Sequence, residues 1–151
     1  MNQPYQLVHE QLVPSPLDQV FAFFSRTENL ETITPDWLHF KILSVDPQPV
    51  QTGTLINYEL RMRGLPLRWT SKIIEWDPPH KFVDFQVRGP YKLWRHTHRF
   101  LAEDQSTRIV DEVVYALPLG PLGRLAHRLM VKRDVEKIFA FREEKIRALF
   151  G

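Results

Sequence analysis

KFVDFQVRGPYKLWRHTHRFLAEDQSTRIVDEVVYAL, residues 81–117, alternates apolar or aromatic side chains with charged ones and breaks at Gly89-Pro90 and again at Glu103–Ser106. Such alternation, rich in β-branched and aromatic residues and bounded by turn residues, predicts three antiparallel strands at 81–88, 91–102 and 107–117. Opposed residues on paired strands share a face, so turn length decides which side chains meet. With Gly89-Pro90 as the whole turn, Phe85 opposes Trp94, Val83 opposes His96, Lys81 opposes His98 and Asp84 opposes Arg95. The next turn sets Trp94 against Tyr115, His96 against Val113, His98 against Asp111 and Phe100 against Ile109.

The pattern extends toward the N-terminus. Strands are expected at 38–46, 53–63 and 67–76, separated by Asp46-Pro47, Arg63–Pro66 and Asp77-Pro78-Pro79. A turn from Trp76 to His80 pairs Ile73 with Val83, Ser71 with Phe85 and Lys72 with Asp84. Lys72, Asp84, Arg95, Arg99 and Glu112 then form a charged outer ladder, and Tyr58, Trp69, Ser71, Phe85, Trp94, His96, His98, Asp111 and Tyr115 lie on the inner wall. Residues 5–13 read as a further strand, followed by a short helix after Pro16 with Asp18 in its first turn and a second around Glu28–Thr32. From about Leu122 to Phe150 the chain has no proline and reads as one long helix. The expected architecture is α+β: a seven-stranded, curved antiparallel sheet around a long C-terminal helix, with two short helices after the first strand, in a single domain spanning 1–151.

A chain of 151 residues without cysteine can bury a sufficient core without disulfides, and thiol chemistry and Cys-based metal sites are excluded. Twenty basic against 18 acidic residues leave a formal charge of +2, too small an imbalance to indicate nucleic-acid binding. The densest basic stretch, Arg124–Arg133, carries aliphatic residues between its charges and reads as a solvated helix face. No segment is long and apolar enough to be an integral membrane span, the N-terminus lacks the pattern of a signal peptide, and a cytoplasmic location is expected.

Polar residues on an otherwise apolar wall must find partners. The plainer reading pairs them with one another, His98 with Asp111 above all. The alternative makes Tyr58, Ser71, His96, His98, Asp111 and Tyr115 convergent anchors in an apolar binding site walled by Trp69, Phe85 and Trp94. Arg142, on the long helix, suits an acidic ligand group if it turns inward, although a snorkelling arginine is the plainer expectation. His96, His98 and Asp111 are candidates for general acid/base chemistry. They also resemble a two-histidine, one-carboxylate metal set, but side chains two apart on a strand are separated by about 7 Å, so neither metal nor cofactor is expected. Rings on every strand of a concave wall predict a cavity of roughly 300 Å3 or more.

Residues 16–24 (PLDQVFAFF), residues 89–100 (GPYKLWRHTHRF) and residues 117–123 (LPLGPLG) resemble the START/SRPBCC ligand-binding superfamily, and more closely its bacterial polyketide-cyclase/dehydrase-like branch. The resemblance covers essentially the whole chain. It implies the helix-grip fold and the binding of a small hydrophobic ligand, lipid-, polyketide- or quinone-like, between sheet and C-terminal helix. Two alternatives stay open: a cyclase or dehydratase using His96 or His98 as general acid/base, and a co-chaperone-like interaction module with a packed interior.

Overall fold

The computed structural model describes residues 3–151. The elements run β1 (Tyr5–Val13), α1 (Leu17–Phe24), α2 (Glu28–Ile33), β2 (Lys41–Asp46), β3 (Leu55–Met62), β4 (Leu65–Asp77), β5 (Lys81–Arg88), β6 (Leu93–Glu103), β7 (Ser106–Ala116), α3 (Gly120–Ala126) and α4 (Lys132–Phe150). The seven strands form one antiparallel sheet in the order β1-β7-β6-β5-β4-β3-β2. Apart from β1, which closes the meander by pairing with β7, neighbours in sequence are neighbours in the sheet.

The C-terminal helix starts slightly earlier than expected and is not uniform. A π-helical turn, His127–Val131, joins α3 to α4 without a break. The wider turn brings His127 inward, where it is buried, stacks on Tyr5 at 3.4 Å between ring centroids and sets Nε2 2.8 Å from the Tyr115 hydroxyl.

Two apolar clusters anchor opposite parts of the interior. α1 and α2 contribute Val20, Phe21, Phe24 and Ile33 to a cluster with Ile56, Ile73, Phe82, Phe100, Ile109 and Ile146. The second joins Leu38, Leu60, Trp69, Tyr91, Val113 and Tyr115 to Val135 and Phe139 of α4. On α4, Val135, Phe139, Arg142 and Ile146 are buried, the i, i+4, i+7, i+11 stripe of a helix with one face on the sheet.

The register between β6 and β7 follows the sequence pattern, with Trp94 opposite Tyr115, His96 opposite Val113 and His98 opposite Asp111. Strand β5 departs from it. Phe82 opposes His98, Asp84 opposes His96 and Phe85 opposes Arg95, a shift of one residue that turns the whole strand over. Toward β4, Ile73 faces Asp84 and Ser71 faces Gln86, between two bulges at Thr70/Ser71 and Ile73/Glu75. Phe85 thus belongs to the outer face, between Lys72 and Arg95, and Asp84 belongs to the inner one.

The cause is the loop after β5. The connection is not the dipeptide Gly89-Pro90 but the four residues between Arg88 and Leu93, because Tyr91 folds inward and is buried. Gln86 holds it there: its Nε2 donates to the Tyr91 carbonyl at 2.7 Å, and the Tyr91 N–H donates to Gln86 Oε1 at 3.1 Å. Gly89 is required by space, since a Cβ at this position would lie 2.6 Å from the pinned Gln86 Oε1. Replacement of Gln86 by Leu leaves a buried N–H and a buried carbonyl unpaired and is expected to lower stability by about 1–3 kcal/mol, read from urea midpoints; an unchanged midpoint removes the clamp from this account.

Candidate functional site

Between the two apolar clusters lies a cavity of about 200 Å3, smaller than the roughly 300 Å3 expected from the concave aromatic wall. Stacked and edge-on contacts explain the difference: Trp69 packs against Tyr58, Tyr91 and Trp94 with centroids 5.4–5.8 Å apart, so the rings partly fill the hollow themselves. Tyr58, Trp69, Ser71, Trp94, His96, His98 and Arg142 line the space, together with Asp84, Tyr91 and apolar residues from α1, β3, β4 and α4. Phe85 does not, because β5 is turned over. Nor does Tyr115, which is buried beside His127. Asp111 lies behind the lining, 3 % exposed, in contact with residues that do reach the cavity.

The polar floor is a connected network. His96 Nε2 donates to Asp111 Oδ1 at 2.8 Å, and His98 Nε2 donates to Asp84 Oδ2 at 2.7 Å. His98 and Asp111 are cross-strand neighbours as expected, but the bond to Asp111 comes from His96, diagonally; His98 Nδ1 stays 3.5 Å from the same oxygen. Ring stacking enforces this choice. Phe82, His98 and His96 form a stack with centroid separations of 4.0 and 3.6 Å, which points the two imidazoles toward different carboxylates. Across the cavity Tyr58 and Ser71 share a hydrogen bond at 3.3 Å, and burial pushes the Tyr58 hydroxyl well above its ordinary value.

Arg142 does not snorkel. It is buried, its Nη2 donates to Asp111 Oδ1 at 3.4 Å, and its guanidinium lies over Phe24 and Phe139, 5.3 and 5.8 Å from the ring centroids. Burial alone would raise the Asp111 pKa, but Arg142 and the hydrogen bond from His96 reverse that and hold it well below the usual carboxylate range. Asp84 is likewise held low against burial, through His98. Burial, reinforced by the neighbouring His96, pushes His98 down to about 4 despite its two carboxylate neighbours. The floor thus holds two carboxylates and one guanidinium beside a neutral His98.

Three buried side-chain polar atoms among the described residues have no protein partner: Trp69 Nε1, His98 Nδ1 and Arg142 Nε. All three belong to cavity-lining residues. Donor atoms of Asp84, His96 and His98 lie within 4.8 Å of one another. Stacked imidazoles, however, direct their in-plane lone pairs side by side, so coordination of one ion would require the rings to leave their stack.

Sequence reasoning missed further inner-wall residues besides Asp84, among them Phe82, which turns inward with it on β5, His9 and Tyr91. His9 stands opposite Asp111 on β1, with Nε2 3.5 Å from Glu143 of α4, and was legible in the alternation Tyr5, Leu7, His9, Gln11, Val13. Tyr91 was hidden in what reads as the first residue of a strand.

Substitution of Asp111 by Leu leaves the Arg142 charge buried without its counter-charge and is expected to destabilise the fold by about 3–5 kcal/mol; adding Arg142→Met should recover most of that loss, and a double variant no more stable than the single one would contradict the pairing. The His98 shift predicts acid sensitivity with a definite sign. Its folded pKa lies near 4, below the unfolded value of 6.5, so between these values the unfolded chain binds a proton that the folded chain refuses. Stability is full above pH 6.5 and falls toward pH 4, by on the order of 3 kcal/mol from this group, and His98→Gln should flatten that part of the wild-type profile of urea midpoints.

The family described as polyketide cyclase / dehydrase and lipid transport matches residues 13–141. No curated protein matches the sequence. Among solved structures, the chain is similar to the aromatase/cyclase ZhuI from Streptomyces sp. R1128, at 18 % identity and a TM-score of 0.77 over 96 % of this chain and 92 % of that one. It is similar to the protein TTHA0849 from Thermus thermophilus, at 23 % identity and a TM-score of 0.68 over 97 % and 100 % of the two chains. A START superfamily protein from Mycobacterium smegmatis aligns at 11 % identity with a TM-score of 0.68 over 95 % and 98 %. Fold and family together indicate a hydrophobic-ligand-binding or polyketide-cyclase-type role. With the sheet, the gripped helix and the family match in agreement, the chain belongs to the polyketide cyclase / dehydrase and lipid transport family.

Proposed function

We propose that the chain binds a small, neutral, largely apolar molecule carrying oxygen acceptors, in the cavity between the curved sheet and α4. The carrying observation is a largely apolar lining in which two residues, Trp69 and Arg142, keep a donor-only atom, Nε1 and Nε, without a protein partner. Both atoms are covered by neighbouring side chains, so a ligand meets them when those side chains shift around it. A carbonyl or ether oxygen satisfies such a donor, whereas a pure hydrocarbon leaves it unpaired. Charge favours neutrality. Arg142 already faces Asp111, and with Asp84 also held ionised the floor has no surplus positive charge to offer an anion. Size supports a compact ligand: a cavity of about 150 Å3 takes up benzene, so 200 Å3 admits one or two fused rings or a short acyl chain.

A second reading rests on the two His–Asp contacts at 2.8 and 2.7 Å, which give the lining two oriented imidazoles able to exchange protons with a bound carbonyl compound. On that reading the protein is a cyclase or dehydratase. A packed interaction module is disfavoured, because its interior would be closed.

The isosteric pair 1-tetralone and tetralin tests the first reading through quenching of tryptophan emission. Both should bind, the ketone more tightly, and Trp69→Phe should weaken the ketone roughly fivefold while leaving the hydrocarbon unchanged. Absence of binding by either compound overturns the ligand-binding reading. Turnover of a linear polyketone, abolished by His96→Gln or His98→Gln without loss of 1-tetralone affinity, would establish the second.

A further inference from the structure

Five of the exposed large apolar side chains crowd into the start of the C-terminal helix: Leu119 (74 % exposed), Leu122 (68 %), Leu125 (49 %), Leu129 (65 %) and Met130 (39 %). Single exposed leucines are ordinary, but a run of them on one element marks a surface that meets something. Leu122, Leu125 and Leu129 follow helical spacing, so they form one ridge, while Gly123 and His127 on the other side of the same helix are buried against the body. Close packing there is fixed: a Cβ on Gly123 would stand 2.1 Å from the Pro118 carbonyl oxygen. The ridge therefore cannot roll inward.

Basic residues accompany it. Arg124, Arg128, Lys132 and Arg133 are all exposed, and 117–133 contains no acidic residue. Among the described residues none of the four makes an ion pair, although the protein as a whole carries a formal charge of only +2. Leu119 adds a second kind of observation. It is held at φ 72°, a left-handed conformation that a non-glycine residue adopts only at a cost, and the result is an apolar side chain pointed into solvent.

We propose that this face, Leu119 to Arg133, is a docking surface for an anionic phospholipid bilayer, with the leucines at the acyl boundary and the arginines and lysine among the lipid phosphates. A helix with a leucine ridge beside a basic rail lies in the plane of such an interface, where each basic side chain near the surface adds to the attraction of the lipid phosphates. Other partners fit less well. Nucleic acid would match the charges but leave the leucines in water. A second copy related by a two-fold axis would set the same basic rail against itself. The docked segment is continuous with α4, which supplies Val135, Ile138, Phe139 and Arg142 to the cavity lining, so docking would place the gripped helix against the membrane. The surface stands independently of what the cavity holds.

Vesicle co-sedimentation tests it. The protein should pellet with vesicles of equal parts phosphatidylcholine and phosphatidylglycerol, stay in solution with phosphatidylcholine alone, and be released by raised salt. Arg124→Ala and Arg128→Ala should each weaken binding roughly fivefold, and the double change Leu122→Asp/Leu125→Asp should abolish it, while Val87→Asp at an exposed position of the sheet leaves it intact. Because the chain has no cysteine, Leu129→Cys carrying an environment-sensitive fluorophore gives a readout that needs no disruptive variant: its emission should shift to the blue on anionic vesicles. Failure to pellet with anionic vesicles, or an unshifted label, overturns the proposal. So does self-association in sedimentation velocity that the double leucine change abolishes, which would assign the ridge to a second copy.

Discussion

The Asp111 carboxylate, buried on the concave side of the sheet, must be answered by positive charge and hydrogen bonds or expelled, and the interior is arranged around that requirement. Its partners come from two directions. His96 approaches diagonally along β6, and Arg142 descends from α4. The last contact matters most for the fold, because it ties the one long helix to the sheet at a definite depth and rotation. Hydrophobic burial by Val135, Phe139 and Ile146 would hold the helix on the sheet in several nearby registers; a buried ion pair flanked by Phe24 and Phe139 selects one of them.

The same network limits how tightly the interior can close. A helix held at the depth of the Asp111–Arg142 contact leaves room below it wherever the wall is formed by rings too large to interleave. Trp69, Trp94, Tyr58 and Tyr91 fill part of that room by packing on one another, and about 200 Å3 remains. The chemistry of the remaining space follows from the same residues. Groups that could be paired within the protein are paired, and the ones left over, Trp69 Nε1, His98 Nδ1 and Arg142 Nε, belong to the lining.

Position along the C-terminal helix separates two tasks. Its last part, α4, turns one face to the sheet and supplies the cavity, whereas α3 and the π-helical turn present leucines and arginines outward. The π turn allows both. By admitting an extra residue to one turn it lets His127 reach Tyr5 and Tyr115 while the solvent-facing ridge continues past it.

The architecture was legible in the sequence because it depends on local signals: alternation with period two, turn residues, and a proline-free C-terminal stretch. Those signals determined the seven strands, the two short helices, the gripping helix and the β6–β7 register, and with them the inward position of Trp94, His96, His98 and Asp111. They could not determine β5. Whether Gly89-Pro90 is the whole turn or half of one depends on Tyr91 being captured by Gln86, a contact that exists only once the core has formed, and a one-residue difference exchanged Phe85 for Asp84 on the inner wall. Nor could spacing alone assign partners within the site. His98 and Asp111 are opposed in the ladder, yet the stack of Phe82, His98 and His96 sends one imidazole to Asp84 and the other to Asp111. Backbone alternation says which face a side chain takes, whereas its partner there is decided by three-dimensional packing among residues that no local pattern relates.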